Sequence, residues 1–253
     1  MSAAAPRVGT FLSLASPEAA AVVSGGLDLV LVDAEHGVGD EPTLLAQLRA
    51  ARCAHRWVRV RQLADAPKVL DLGADGVVVP RVRAASEVAE LVRSCSYPPM
   101  GTRGLGPSTA NLYGLHLREQ LARGSRLGEL WPQIETLEAV EALPEILALD
   151  PGPTGLFVGP GDLSAALGHP GELSHPEVRR TVERVAAQCS AAGRRFAIFS
   201  PDATDAERWI DLGASVVVVG SDAGWMAQGA APVWELREAE LREAKLREAE
   251  GSR

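Results

Sequence analysis

Leu70–Pro80 reads LDLGADGVVVP, and Ile210–Gly220 reads IDLGASVVVVG. Each begins as the end of a helix, is stopped by a glycine and passes into an unbroken run of valines. A strand that is apolar at every residue, and not at alternate ones, is covered on both faces, as in a parallel sheet wrapped by helices. The echo of this helix–glycine–strand pattern at two distant places predicts one repeated unit and not two domains. Working outward, the same alternation recurs along the chain, with strands predicted near Gly9–Leu14, Asp28–Asp33, Trp57–Arg61, Gly76–Pro80, Leu130–Glu135, Gly155–Gly159, Arg195–Phe199 and Ser215–Gly220. Ser16-Pro17-Glu18 and Ser174-His175-Pro176-Glu177 carry helix-start signals, with a polar cap ahead of a proline. Eight βα units in 253 residues predict a single (β/α)₈ barrel. Ser94–Ser125, containing YPPMGTRGLGP, has no clear strand and is expected to be an insertion loop and helix over one end.

The rest of the composition narrows the function. A net charge of −8 argues against nucleic acid as a main partner. No apolar run approaches the roughly 20 residues that span a bilayer, and the opening MSAAAPRVG lacks a charged region followed by a long apolar one, so a cytoplasmic protein is expected. Cys53, Cys95 and Cys189 are scattered and odd in number, unlike a disulfide framework or a zinc knuckle. Of the 25 basic residues only Lys68 and Lys245 are lysines. Covalent imine chemistry needs a lysine desolvated in a pocket. Lys245 falls in a highly charged tail and Lys68 at a helix start, so imine chemistry is poorly supported. In the tail, Leu236, Leu241 and Leu246 recur every five residues and form no single helical stripe. Glu238–Arg242 and Glu243–Arg247 have the spacing of pairs on a solvated helix. Residues 1–232 are therefore taken as the barrel and 233–253 as a charged helical extension.

In such a barrel the active site lies at the C-terminal ends of the strands. The second strand ends in Asp33-Ala34-Glu35-His36. A histidine leaving a buried strand beside two carboxylates has the chemistry of a general base working near neutral pH. The third strand, WVRVR, alternates, so Trp57, Arg59 and Arg61 share a face. An arginine directed into the mouth can neutralise an oxyanion or pair with a carboxylate. The fifth strand ends Gln133-Ile134-Glu135, and the turn after the sixth reads Gly159-Pro160-Gly161-Asp162. Glu135 and Asp162 can supply two hard oxygen ligands to Mg²⁺ or Mn²⁺. Gly161 lets backbone approach a ligand, and the N–H groups of the following helix start could hold a carboxylate.

These segments together resemble the HpcH/HpaI aldolase family of the pyruvate/phosphoenolpyruvate barrel superfamily, whose founding type is 4-hydroxy-2-oxoheptanedioate aldolase. The resemblance runs from about Gly9 to Ala231. It rests on DAEH at Asp33–His36, VRV at Val58–Val60, LDLGADGVVVP, YPPMGTRGLG at Tyr97–Gly106, QIET at Gln133–Thr136 and GPGDLS at Gly159–Ser164. It implies Glu135 and Asp162 as ligands of a divalent metal (Mg²⁺, Mn²⁺ or Co²⁺), His36 as the base and Asp71 as the carboxylate that makes the histidine more basic. It further implies Arg59 as the transition-state arginine and Gln133, Gly161 and Asp162 as positions that touch the 2-oxo acid. The implied chemistry is class II: the metal chelates a pyruvate-type 2-oxo acid and stabilises its enolate, which attacks an aldehyde, with retro-aldol cleavage as the reverse. A homo-oligomer, often a hexamer, is implied too. The chain departs from the pattern after Arg59, where RVRQLADAP replaces a sequence like RVPWNDP and makes Arg61 a rival, and after His36, where Gly-Val-Gly replaces Ala-Pro. Oxaloacetate decarboxylation is the alternative chemistry, a citrate-lyase-like action on CoA thioesters lacks a basic nucleotide site, and a non-catalytic scaffold is the third reading.

Overall fold

The computed structural model describes residues 5–251. Met1–Ala4, and the side chains of the Glu243–Arg247 pair expected in the tail, lie outside the described residues. Strands β1 (Arg7–Leu12), β2 (Leu29–Asp33), β3 (His55–Arg59), β4 (Gly76–Val79), β5 (Glu129–Ile134), β6 (Gly155–Val158), β7 (Arg195–Ser200) and β8 (Val216–Ser221) close into a barrel. All neighbouring pairs are parallel, with β8 returning to β1. The (β/α)₈ barrel expected from the valine runs is the fold. Helices α1 (Pro17–Val23), α2 (Glu41–Ala50), α3 (Ala66–Leu72), α4 (Ala85–Ser94), α5 (Leu117–Ala122), α6 (Leu137–Glu141), α7 (Leu143–Leu147), α8 (Pro160–Ala166), α9 (Pro176–Ala191), α10 (Ala203–Asp211) and α11 (Asp222–Gly251) surround it.

Two apolar layers hold the fold together. Between strands and helices, residues such as Val30, Val58, Val77, Leu130, Val158 and Val217 are wholly buried. Inside the barrel, the alternate residues Leu29, Leu31, Trp57, Trp131, Phe157 and Val218 fill the interior, with the Trp57 and Trp131 rings 4.9 Å apart. Room for these indoles comes from glycines: a Cβ on Gly76 would sit 2.6 Å from the Trp57 ring, and one on Gly155 would overlap Trp131. Below the indoles, at the N-terminal end, Glu129 binds Arg7 and Arg195, each at 3.0 Å, and accepts the Trp131 indole N–H at 3.2 Å.

The helix starts follow the sequence, with one shift. Ser16 caps α1, its side chain accepting the Ala19 N–H at 3.0 Å, whereas α9 is capped by His175 and not by Ser174. The 95–128 segment leaves α4, makes a short 3₁₀ stretch at Thr109–Gly114 packed on α3, and includes α5 before feeding β5. α11 runs through Pro232 without a break, so the tail continues the last barrel helix. Arg242 and Glu238 pair on it at 3.2 Å, and Leu236 and Leu241 are exposed. Among the described residues no helix is long and apolar enough to cross a membrane.

Candidate active site

The site is built where β2 and β3 end side by side. Their register puts Asp33 directly against Arg59. Asp33 grips the guanidinium with both oxygens, Arg59 Nε at 3.0 Å and Nη2 at 2.7 Å, and the pair is almost wholly buried. This side-on fork fixes the plane of the guanidinium and leaves Nη1 without a hydrogen bond among the described residues. The Phe11 ring lies 4.7 Å beneath it. Burial alone would make Arg59 easier to deprotonate, but the Asp33 hydrogen bonds and the charges of Asp33, Glu35 and Glu135 raise its pKa above the ordinary value. Arg61, the rival, lies beyond β3 on the surface and pairs with Asp65 at 3.3 Å. The structure therefore places Arg59, and not Arg61, at the mouth.

Asp33 also shapes the turn that follows. Its Oδ1 accepts the N–H groups of Glu35 at 3.1 Å and His36 at 3.3 Å, which curls the chain and sets both side chains at the rim. The His36 imidazole is two-thirds exposed, with Nε2 at 3.7 Å from Glu35 Oε2, and it faces a cavity of about 270 Å³. Arg59, Gln133, Gly161, Asp162, Phe11 and Phe199 line the same cavity. Burial, eased by Arg59 and His36 and reinforced by Asp33 and Asp162, raises the Glu35 carboxyl above the usual carboxylate range.

Glu135, one residue past β5, lies behind Gln133 and is 2% exposed. Its Oε1 accepts the backbone N–H of Arg81 at 2.7 Å, and its Oε2 accepts the Gln133 amide. To turn that N–H inward, Arg81 adopts φ +56°, a left-handed conformation uncommon away from glycine. Burial pushes the Glu135 pKa up to about 8; the Arg81 N–H opposes this, the charges of Asp162 and Glu35 add to it and Arg59 eases it. Asp162, in the first turn of α8, is exposed and makes no hydrogen bond among the described residues. Gly161 has open space where a side chain would stand, whereas a Cβ on Gly159 would collide with both Gln133 and Glu135.

These residues fit a divalent cation. A free carboxylate and a buried one repelled by it are the hard oxygen donors that Mg²⁺ or Mn²⁺ takes. Gln133 Oε1 is buried without a partner beside them, and such atoms are rare unless something fills the gap. Glu135 and Asp162 are the residues that would hold such a cation, with Gln133 beside Glu135.

One expected member stands elsewhere. Asp71 is on α3, bound to the buried guanidinium of Arg103 at 2.5 Å, and it lines a different surface pocket with Lys68 and Tyr113. Within this chain the carboxylate beside His36 is Glu35, and α3 directs Asp71 toward the 95–128 segment. The sequence reading missed Asp33, Gly159 and the Arg81 backbone as parts of the site. Only Asp33 carried a signal, as a buried-strand carboxylate level with an arginine on the next strand. Lys68 pairs with Glu41 at 3.3 Å on the surface, far from the role of an imine lysine.

The chain is similar to known proteins along most of its length. The sequence profile of the HpcH/HpaI aldolase/citrate lyase family matches residues 7–228. A 4-hydroxy-2-oxo-heptane-1,7-dioate aldolase of Klebsiella pneumoniae is 36% identical over 236 residues, 91% of this chain and 89% of that one. A 5-keto-4-deoxy-D-glucarate aldolase of the same species is 36% identical over 224 residues, 86% of this chain and 87% of that one. The crystal structure of an HpcH/HpaI aldolase/citrate lyase family protein from Burkholderia cenocepacia matches with a TM-score of 0.83 at 30% identity, covering 93% of this chain and 95% of that chain.

Proposed function

Because the chain belongs to the HpcH/HpaI aldolase/citrate lyase family, we propose that the cavity at the C-terminal end of its barrel is where the family's chemistry is carried out, with each role assigned below. The protein is a carbon–carbon lyase of the class II kind, joining or separating a pyruvate-type enolate and an aldehyde with a divalent metal. The observation that carries the assignment is the convergence of Asp162, Arg59, His36 and Gln133 on one cavity with Glu135 directly behind Gln133.

Glu135 and Asp162 hold the cation, and their oxygen chemistry favours Mg²⁺, Mn²⁺ or Co²⁺. The cation supplies positive charge against the carboxylate and oxo oxygens of the 2-oxo acid. Gln133 would donate its amide N–H to an oxygen of that ligand, and Gly161 lets it lie against the α8 backbone beside Asp162. Arg59, fixed by Asp33, presents Nη1 to the oxygen on which negative charge develops. His36 has one ring nitrogen near Glu35 and the other free to take a proton from the methyl carbon of the oxo acid. On the reverse path it returns that proton. Phe11 and Phe199, 5.7 Å apart, make part of the cavity wall apolar.

We read residues 1–232 as the catalytic unit and 233–253 as an accessory helix. Trp225, Met226, Val233 and Trp234 are exposed along α11, which supports association into a homo-oligomer. Three free cysteines accord with a cytoplasmic protein acting on small molecules.

The experiment sets aldol turnover against oxaloacetate decarboxylation. Both form the same enolate, but decarboxylation loses CO₂ where aldol addition loses a proton. His36→Ala is expected to slow aldol turnover by about 10²–10⁴-fold and to leave decarboxylation largely intact, while Asp162→Asn abolishes both. Equal collapse of both reactions in His36→Ala makes His36 a structural residue and removes its role as base.

A further inference from the structure

We infer that the rim of the barrel carries a second cation site, built from His169, His175 and Glu177, that takes a borderline transition metal such as Zn²⁺. One ligand atom from each residue lies within 4.8 Å of the other two. His169 Nε2 is 2.9 Å from Glu177 Oε2, and the His169 and His175 rings stack with centroids 3.4 Å apart. Ligands about 2.0–2.1 Å from a tetrahedral ion stand about 3.3 Å from each other, and the His169–Glu177 contact needs to open by only a few tenths of an ångström to reach that spacing.

The ligands sit on a loop that is already tied down. His169 N–H donates to Ser164 O at 2.8 Å, and Gly171 N–H donates to Ser164 Oγ at 3.0 Å. Ser164 Oγ in turn donates to Gly161 O at 2.6 Å, and the serine is wholly buried. Further along, Glu172 N–H binds His169 O at 3.0 Å and His175 N–H binds Glu172 O at 2.9 Å, which delivers His175 to the cap of α9. Gly168 and Gly171 have φ of +85° and +82°, which lets so short a loop fold back on itself. Glu177 then follows in the first turn of α9. A loop held this way spends little further entropy on closing around an ion. His169 and Glu177 are a quarter and half exposed, so water can complete the coordination.

The donor set differs from that at the mouth. Imidazole nitrogens suit Zn²⁺, Cu²⁺ or Ni²⁺, whereas two carboxylates suit hard cations. The rim site stands on its own residues and does not depend on the roles given to Glu135 and Asp162.

The test is calorimetric titration with Zn²⁺ of the full-length Glu135→Gln/Asp162→Asn protein in millimolar Mg²⁺. One equivalent of Zn²⁺ is expected to bind. His169→Phe, which keeps the ring stack, and His175→Asn, which keeps a capping side chain for α9, should each weaken it by at least about tenfold. Thermal midpoints without zinc should match those of the parent. Absence of a Zn²⁺ equivalent in the parent overturns the inference, and so does unchanged binding in both histidine variants.

Discussion

A glutamate opens strand β5 and another follows its last residue, and the two are opposites. Glu129 opens the strand on the barrel floor, where burial would raise its pKa but the hydrogen bonds and charges of Arg195 and Arg7 win and hold it below the usual range. Glu135 follows the same strand at the mouth. There, among the described residues, no guanidinium hydrogen-bonds to it, Asp162 and Glu35 add repulsion to burial, and its pKa is pushed up to about 8. The same side chain on the same strand is completed by the protein at one end and left incomplete at the other. The floor spends its charges on stability. The mouth leaves charge unbalanced, which accords with the cation and substrate proposed for it, since perturbed groups cluster in cavities at the functional end of a barrel.

The comparison can be broken most severely at the mouth. Asp162→Asn or Glu135→Gln should reduce aldol turnover to the level of protein treated with excess EDTA, and Mg²⁺, Mn²⁺ or Co²⁺ should restore only the wild type. Full turnover in EDTA, or trapping by borohydride in the presence of pyruvate, contradicts the class II assignment. Next in size is the arginine. Arg59→Lys keeps the charge but loses the fork to Asp33, and turnover should fall roughly 10²–10³-fold, the scale of removing one oxyanion donor. Arg61→Lys should leave turnover within about twofold, because exposed pairs such as Arg61–Asp65 are worth little. The reverse order in steady-state kinetics means the wrong arginine has been placed in the mouth.

The smallest expected effect on activity, and the clearest on stability, lies at the floor. Glu129→Gln leaves Arg7 and Arg195 facing each other and should cost roughly 1–3 kcal/mol in urea unfolding, with turnover at moderate temperature retained. The pH dependence follows in sign. A carboxyl whose folded pKa is depressed contributes stability above its unfolded value of about 4.3, and that contribution is lost as pH falls through the lower folded value. The wild type should therefore lose more stability than Glu129→Gln on acidification below about pH 4. Parallel acid curves for the two proteins refute the role given to the Arg7–Glu129–Arg195 cluster.

The two ends were not equally legible in the sequence. The strands could be read because a parallel strand covered on both faces must be apolar throughout, and VVV or VVVV between glycines has few other uses. Glu135, Asp162, His36 and Arg59 could be read because each stands at or just past a strand end. Asp33 as the partner of Arg59 could not, because that contact depends on the β2–β3 register, which hydrophobic pattern alone does not fix when strands are apolar on both faces. The neighbour of Asp71 within the chain could not be read for a related reason. The helix of Asp71 was recognised, but the direction of its side chain depends on Arg103, which a loop with no periodic pattern brings back onto α3. His169 and His175 gave no signal of a shared site, being brought together by a glycine-built turn.

The central claim, that the mouth holds the metal-dependent enolate chemistry, is tested most directly by proton exchange from the methyl group of pyruvate in D₂O, followed by NMR with no aldehyde present. Wild-type protein with Mg²⁺ or Mn²⁺, and Glu129→Gln with the same cation, should exchange the methyl protons. EDTA-treated wild type, Asp162→Asn and His36→Ala should not do so above the rate of the free ion. Exchange that persists in EDTA or in Asp162→Asn contradicts the account.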